Sequence, residues 1–407
     1  VYAKKKSLTI MRLITLIILS LSILILASCD SKEITDKQSD SFIKFYGGPS
    51  LDYGVDVEQT SDGGYAILGT ITTPDKGTDM CLILTNEFGN SISDIKYYGG
   101  GYDDKGTCLH MMDDGAFILM GSYQDSTSGN THVYIVKTDN AGATLWEKII
   151  EDEGSQEGYD LQVNNSGDLI IVGYTESGMA TSATGNQKDI FQRFLNSEGD
   201  IIWEPGEIGF ADNDVGHNIL LGNEENIIVG NTKSRPVGTT RYRSFIIKTN
   251  LQGLPSSGFK TLFDTEMDYI NYIRELPDGD FLVAGTIVTD NSTNICLMRI
   301  DQKSLDIIWS KTFDEIPYTY CTGMELNANE ILILGTHEIS GSASSMVLIK
   351  ADLDGSLTNF TEYGLSSQII GLAFALTDDN GFIFTGSSKT GDNSVITLIK
   401  TDSNGGF

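Results

Sequence analysis

Past residue 41 the chain is punctuated by short apolar runs that stop at a glycine. They read YAILG to Gly69, AFILMG to Gly121, DLIIVG to Gly173, NIIVG to Gly230, DFLVAG to Gly285, EILILG to Gly335 and FIFTG to Gly386, 50 to 57 residues apart. Seven near-equal periods of this length are the mark of a repeat architecture. A tight turn precedes each run, as in Ser61-Asp62-Gly63-Gly64, Asp113-Asp114-Gly115 and Pro277-Asp278-Gly279, and signals a hairpin. A variable polar loop follows, then a second apolar run (MCLILTN, VYIVKTD, IFQRFLN, FIIKTN, ICLMRID, MVLIKAD, ITLIKTD) and a second turn such as Asp139-Asn140-Ala141-Gly142. A last segment often opens on a large aromatic, as in Trp146-Glu147-Lys148 and Trp309-Ser310-Lys311. Segments this short, rich in β-branched and aromatic residues and bounded by Gly and Asp, are strands. No 3.6-residue period is sustained after residue 41, so the predicted class is all-β.

The two ends carry the topology. The seventh period stops at Thr401-Asp402-Ser403-Asn404-Gly405, one strand short, and the missing strand stands at the front as Phe42-Ile43-Lys44-Phe45-Tyr46-Gly47-Gly48. Lys44 aligns there with Lys96, Lys148, Lys260 and Lys311 of the other fourth strands. A ring has a use for such a permutation, because the first strand completes the last sheet and removes the seam. The expectation is a seven-bladed β-propeller over 42–407, four antiparallel strands per blade, with the N-terminal strand closing the last blade. An open β-solenoid is the alternative.

Before the repeats, Lys4, Lys5, Lys6 and Arg12 precede an aliphatic stretch from Leu13 to Leu26. A basic segment followed by a short apolar core is a secretory signal. Its 14 residues would rise about 21 Å as helix, short of a ~30 Å hydrocarbon layer, which disfavours a permanent span. A start at Val1 or at Met11 leaves this core intact. The stretch ends Leu26-Ala27-Ser28-Cys29, which resembles the bacterial lipobox; that resemblance implies cleavage before Cys29 and its acylation. Residues 1–28 are then a lipoprotein signal peptide. Residues 29–41 are a lipid-bearing cysteine and a polar tether, and several acyl chains on one residue suffice for stable anchoring. The address that follows is the cell envelope, anchored through the N-terminal lipid and expected at the outer membrane, with the leaflet open. Four of the 27 basic residues and no acid precede Cys29, so the remainder carries 23 bases against 56 acids, a net charge of −33. Such a charge repels phosphate backbones and anionic lipid, which argues against a nucleic-acid partner and for cations or basic partners.

The pattern YGG, an acid, DGGY, an apolar run to Gly, K-T-D-x-x-G and an aromatic resembles the propeller repeats of Gram-negative surface and secreted lipoproteins. It runs from Phe42 to the C-terminus, strongest in the first two periods and weakest in the sixth. The resemblance implies the propeller and says little about ligands. Asp139-x-x-Gly142-x-x-x-Trp146 and Gly199-x-x-x-Trp203 are also similar to the tryptophan-docking motif of quinoprotein-type propellers and of an outer-membrane assembly lipoprotein. Only Trp146, Trp203 and Trp309 fill that column, and the alternative is an aromatic packing between adjacent blades.

In a propeller the long variable segments collect on one face, here 70–79, 122–132, 174–189 and 231–243, and binding concentrates in loops on a rigid scaffold. The third and fourth blades carry the longest. Aligning the starts of the innermost strands gives Asp52, Asp104, Gln156, Asp214, Asp268, Pro317 and Ile369. Four aspartates around a channel mouth suggest a cation or basic-ligand site for which calcium is the suited ion, although the same residues also suit turns in which each Asp accepts backbone hydrogen bonds. No cofactor is expected. His110, His132, His217 and His337 lack metal-ligand spacing, and no nucleophile elbow, P-loop or CxxC is present. Disulfides Cys81–Cys108 and Cys296–Cys321 are permitted by an exported setting, but third and first strands lie at different radii, which favours four free buried thiols. These features point to a non-enzymatic binding or scaffolding module for a protein or glycan. The rivals are a component of an outer-membrane assembly machine and a polysaccharide-acting enzyme.

Overall fold

The computed structural model describes residues 40–407 apart from 74–76, 178–186, 211, 234–241, 257–259, 262–266, 290–291, 341–342 and 365–367. The expected signal peptide, 1–28, and Cys29 lie outside the described residues. Every regular element among the described residues is a strand, 28 in all. They form seven antiparallel meanders of four, hereafter sheets 1 to 7. Sheet 1 runs over 53–98, sheet 2 over 105–150, sheet 3 over 156–203 and sheet 4 over 214–261; sheets 5 and 6 run over 269–312 and 319–363. Sheet 7 combines Gln368–Leu376, Phe382–Thr390 and Asn393–Thr401 with Phe42–Ser50. Sheets 6 and 7 are also joined by one parallel bridge, Ser344 to Gln368.

Phe42–Ser50 pairs antiparallel with Asn393–Thr401, with Phe42 opposite Lys400, Ile43 opposite Ile399 and Tyr46 opposite Ile396. The two ends of the chain therefore complete one sheet. The first strand of each sheet packs on the first two strands of the sheet before it, and Tyr53–Gln59 of sheet 1 packs on Gln368–Leu376 and Phe382–Thr390 of sheet 7.

The apolar runs are the second and third strands, buried on both faces, which is why they read as continuous rather than alternating. Their side chains fill seven clusters, each shared by two neighbouring sheets. The cluster between sheets 7 and 1 joins Ile383, Ile396 and Leu398 to Val57, Ile67 and Ile83. The run-ending glycine has a steric cause. Each first strand carries a one-residue bulge, as between Gly106 and Cys108 or Gly158 and Asp160, which pushes a backbone carbonyl at the second strand. A Cβ on Gly121, Gly173, Gly230, Gly285 or Gly386 would collide with the carbonyl oxygen of Lys105, Glu157, Val215, Tyr269 or Ile370 respectively.

Sheets are also tied at their outer strands. Tyr46 donates to the Gly89 carbonyl (2.6 Å), Tyr98 to that of Gly142 (2.7 Å) and Tyr363 to that of Gly405 (2.8 Å), each reaching the turn that follows the next sheet's third strand. Lys44 and Lys148 extend the pattern to Asn90 and Asp200.

Candidate functional site

First strands of all seven sheets line one cavity of about 740 Å³. In each, the bulge turns the residue after it toward the neighbouring sheet, giving the column Asp56, Cys108, Asp160, Asn218, Tyr272, Gly323 and Ala373. Those that can reach make an inter-sheet latch. Asp56 Oδ2 accepts from Leu109 N (2.8 Å), Asp160 Oδ2 from Ile219 N (2.8 Å) and Asn218 Nδ2 (2.6 Å), and Asn218 Oδ1 from Ile273 N (3.1 Å). Tyr272 donates its hydroxyl to Thr322 O (2.5 Å), and the Cys108 thiol faces Leu161 O at 4.0 Å. Gly323 and Ala373 have no polar group to offer. Two residues further on, Glu58 accepts from Met111 N (2.9 Å) and Arg274 pairs with Glu325 (2.6 Å). The N–H groups bound in this way lie on the free edge of each first strand, so the latches also satisfy an otherwise unpaired edge.

Removal from water dominates the electrostatics. Burial pushes the Asp56 and Glu58 carboxyls up to about 7, against the lowering effect of their backbone donors. Asp160 is raised by burial too, and burial pushes the His217 imidazole, which packs 5.1 Å from the Tyr159 ring, down to about 4. His110 is lowered for the same reason. A wall of this kind holds neutral groups and paired ions. It contains no nucleophile hydrogen-bonded to a base among the described residues.

Asp52, Asp104, Asp214 and Asp268 sit elsewhere. All four are buried, and none lies among the cavity walls. Asp52 accepts from Gly48 N (2.8 Å) and Thr72 N (2.9 Å), and Asp104 from Gly100 N (2.5 Å) and Gln124 N (2.9 Å). Asp214 accepts from Phe210 N (2.5 Å) and Asp268 from Val288 N (2.7 Å). Asp52 and Asp104 thus fasten the turn entering their own sheet to the end of that sheet's second strand, Asp214 binds that turn and Asp268 that strand end, and the structure does not converge the four on one point. Burial raises Asp104, and raises Asp214 to about 7. Gln156, in the same column, binds Asp152 N, Gly154 O and His132 Nδ1 instead. No group of three or more His, Cys, Asp or Glu able to hold a metal occurs among the described residues. Calcium therefore has no assembled donor set in this column.

The remaining candidates separate as well. Among the described residues Cys81, Cys108, Cys296 and Cys321 form no disulfide, and burial raises the thiols of Cys81, Cys108 and Cys321. His337 contacts Glu362 at 3.3 Å. Trp146 and Trp309 pack on Gly199 and Gly355 of the next sheet's turn, an aromatic contact between adjacent sheets. The long loops of sheets 3 and 4 fall largely outside the described residues. The latch column was missed by sequence reasoning, although Asp52-x-Gly54-x-Asp56 and Asp214-x-Gly216-x-Asn218 carry its signal, a polar residue two after the bulge glycine.

No family model and no curated protein matches the chain. Among solved structures it is similar to the polysaccharide lyase Uly1, at 11% identity over 92% of this chain and 94% of that one, TM-score 0.54. It is also similar to an acylaminoacyl peptidase of Pyrococcus horikoshii, at 12% identity over 87% and 53%, TM-score 0.50. A third is the β-propeller domain of the Trilobed protease from Pyrococcus furiosus, at 12% identity over 89% and 98%, TM-score 0.49. Identities this low speak to fold alone. The fold is all-β, built of four-stranded antiparallel sheets, and is that of a β-propeller, a scaffold compatible with binding and with catalysis.

Proposed function

We propose that this chain is a lipid-anchored lipoprotein of the cell envelope, held through Cys29, whose closed seven-bladed propeller is a non-enzymatic binding module. Its ligand, a protein or a glycan, is engaged through the face that carries the long loops. One observation carries the reading: the cavity carboxylates Asp56, Glu58 and Asp160 are committed to backbone N–H groups of neighbouring sheets, those of Leu109, Met111 and Ile219, and Glu325 is paired with Arg274. They hold the ring together and leave recognition to the loops. The seven inter-sheet clusters and the pairing of Phe42–Ser50 with the last sheet support the count of seven and the closure.

Two measurements test this. Metabolic labelling with a palmitate analogue should mark the wild type and not Cys29→Ser, and the variant should leave the membrane fraction; an unlabelled, soluble wild type ends the anchor. A panel of envelope polysaccharides incubated with the full chain should remain intact. Turnover that disappears with Asp56→Asn or Glu58→Gln would make the protein an enzyme.

A further inference from the structure

Trp146, Trp203 and Trp309 occupy one position in the repeat, near the start of a sheet's last strand, yet they are not used alike. A Cβ built on Gly199 would lie 2.8 Å from the Trp146 ring, and one on Gly355 would lie 2.6 Å from that of Trp309. Those two indoles are seated on the turn glycine of the next sheet. The corresponding glycine for Trp203 is Gly253, and its slot is occupied by Gln192 and Pro205, each 2.9 Å from a Cβ built there. Gln192 also donates to Gly253 O (2.8 Å), which locks the substitution in place. Trp203 is displaced outward and is 46% exposed, its Nε1 tethered to Gln252 O at 2.8 Å.

The displaced ring borders a groove of about 380 Å³ at the hairpin-turn end of sheets 3 and 4. Ile170, Phe194, Ile202 and Leu221 give it an apolar base, and Asn165, Asn223, Gln252 and Asn226 supply neutral amides. Asn226 is the most buried of the four amides, only 3% exposed, and it lines the groove. The only ionisable side chain in the lining is Asp168, and Asn164 Nδ2 already donates to it (3.2 Å).

We propose that this groove is a binding subsite for a neutral oligosaccharide. A flat aromatic face suits the apolar C–H face of a pyranose ring, and a planar amide can donate to one hydroxyl while accepting from its neighbour. A lining whose one charged group is the Asp168 carboxylate selects against anionic sugars, which it repels and whose own carboxylates would lose hydration without a cation to meet them. Most of the surface is apolar with a few placed polar groups, the usual make-up of a small-ligand site. The site lies at the turn end of the sheets and does not depend on the loop-face reading above.

The test is titration of the full chain, in detergent micelles, with cellohexaose, laminarihexaose, xylohexaose, maltohexaose and a hexagalacturonate. Tryptophan fluorescence and calorimetry report binding. At least one neutral hexasaccharide should give a saturable emission shift, lost in Trp203→Ala and weakened about tenfold in Asn226→Ala. Trp203→Ala should unfold at the wild-type temperature, since its ring is half exposed and undocked, so it tests the site even if Asn226→Ala folds poorly. Absence of binding by all four neutral sugars, binding that survives Trp203→Ala, or a preference for the hexagalacturonate would each overturn the proposal. None of those results would bear on the anchor or on the loop face.

Discussion

Asp56 offers the sharpest perturbation, because the latch ties fold stability to pH in an uncommon direction. Its carboxyl, with those of Glu58 and Asp214, is pushed up to about 7 by burial. A carboxyl raised in the folded state holds a proton that the unfolded chain has released. Its stabilising contribution is complete below the ordinary carboxylate value, near 4, and is lost as pH rises through about 7. His217 acts in the opposite sense: its folded value of about 4 means that the unfolded chain binds a proton first as pH falls through the ordinary imidazole range. His110, lowered as well, adds to this opposition. Near pH 5.5 the folded state therefore holds a net excess of about one to two protons, and stability should rise by about 1.4 to 2.7 kcal/mol for each pH unit lowered. Asp56→Asn keeps an oxygen for Leu109 N and removes one titration, so the slope should fall by about 1.4 kcal/mol per pH unit. Denaturant unfolding of both proteins at several pH values between about 5 and about 7.5 measures it. A wild type that weakens on acidification over this window, or an unchanged slope in Asp56→Asn, refutes the assignment of that proton to the latch.

Three other outcomes are expected. Asp104→Ala strands two part-buried backbone donors, those of Gly100 and Gln124, and should cost about 1–3 kcal/mol in unfolding experiments. Calcium should leave the wild-type melting temperature unchanged, and a calcium-dependent rise abolished in Asp104→Ala/Asp214→Ala would reinstate a cation site in that column. Deleting Phe42–Ser50 uncovers the edge of Asn393–Thr401 and should lower the melting temperature and produce concentration-dependent oligomers by gel filtration; an unaffected monomer would show that the strand does not seal the last sheet. Gly121→Ala should destabilise by about 2–3 kcal/mol or more because its Cβ meets the Lys105 carbonyl, whereas Gly63→Ala, at φ 84° but with only Glu87 Cβ at 4.0 Å, should cost about 1–2 kcal/mol. Equal losses would remove the steric account of the run-ending glycine.

The strands and their order were legible because each strand type writes a different pattern. Second and third strands, buried on both faces, read as unbroken apolar runs, and the turns between them are marked by Asp, Asn and Gly. The displaced first strand was legible from Lys44 and Tyr46, whose counterparts Lys148, Tyr98 and Tyr363 perform the same outer-strand contacts. The candidate site was less legible. The column Asp52, Asp104, Asp214 and Asp268 was found, but a sequence gives the position of a carboxylate and not what its two oxygens meet. Here they meet backbone N–H groups three to five or about twenty residues away. The latch column escaped because the bulge breaks the two-residue alternation of each first strand. Asp56 and Asp160 therefore fall out of phase with any period-2 reading of the side chains.

Departures from the repeat gather in one sector. Sheets 3 and 4 have the longest spacings between run-ending glycines, 57 residues from Gly173 to Gly230 and 55 from Gly230 to Gly285. Sheet 3 opens on Gln156 where its neighbours on either side have Asp, and its tryptophan has left the slot on the next turn. In the proposed ring, packing is spread over seven inter-sheet clusters, so a relaxed repeat at one of them costs a fraction of the whole. That makes the junction of sheets 3 and 4 the least costly place to trade packing for an exposed ring. Restoring the docked arrangement there should then reverse the trade: Pro205→Ala with Gln192→Ala opens the slot on Gly253, and Trp203 fluorescence should shift to the blue as the ring seats. An emission unchanged from wild type would mean that the indole is held out by its bond to Gln252 O rather than by the occupied slot.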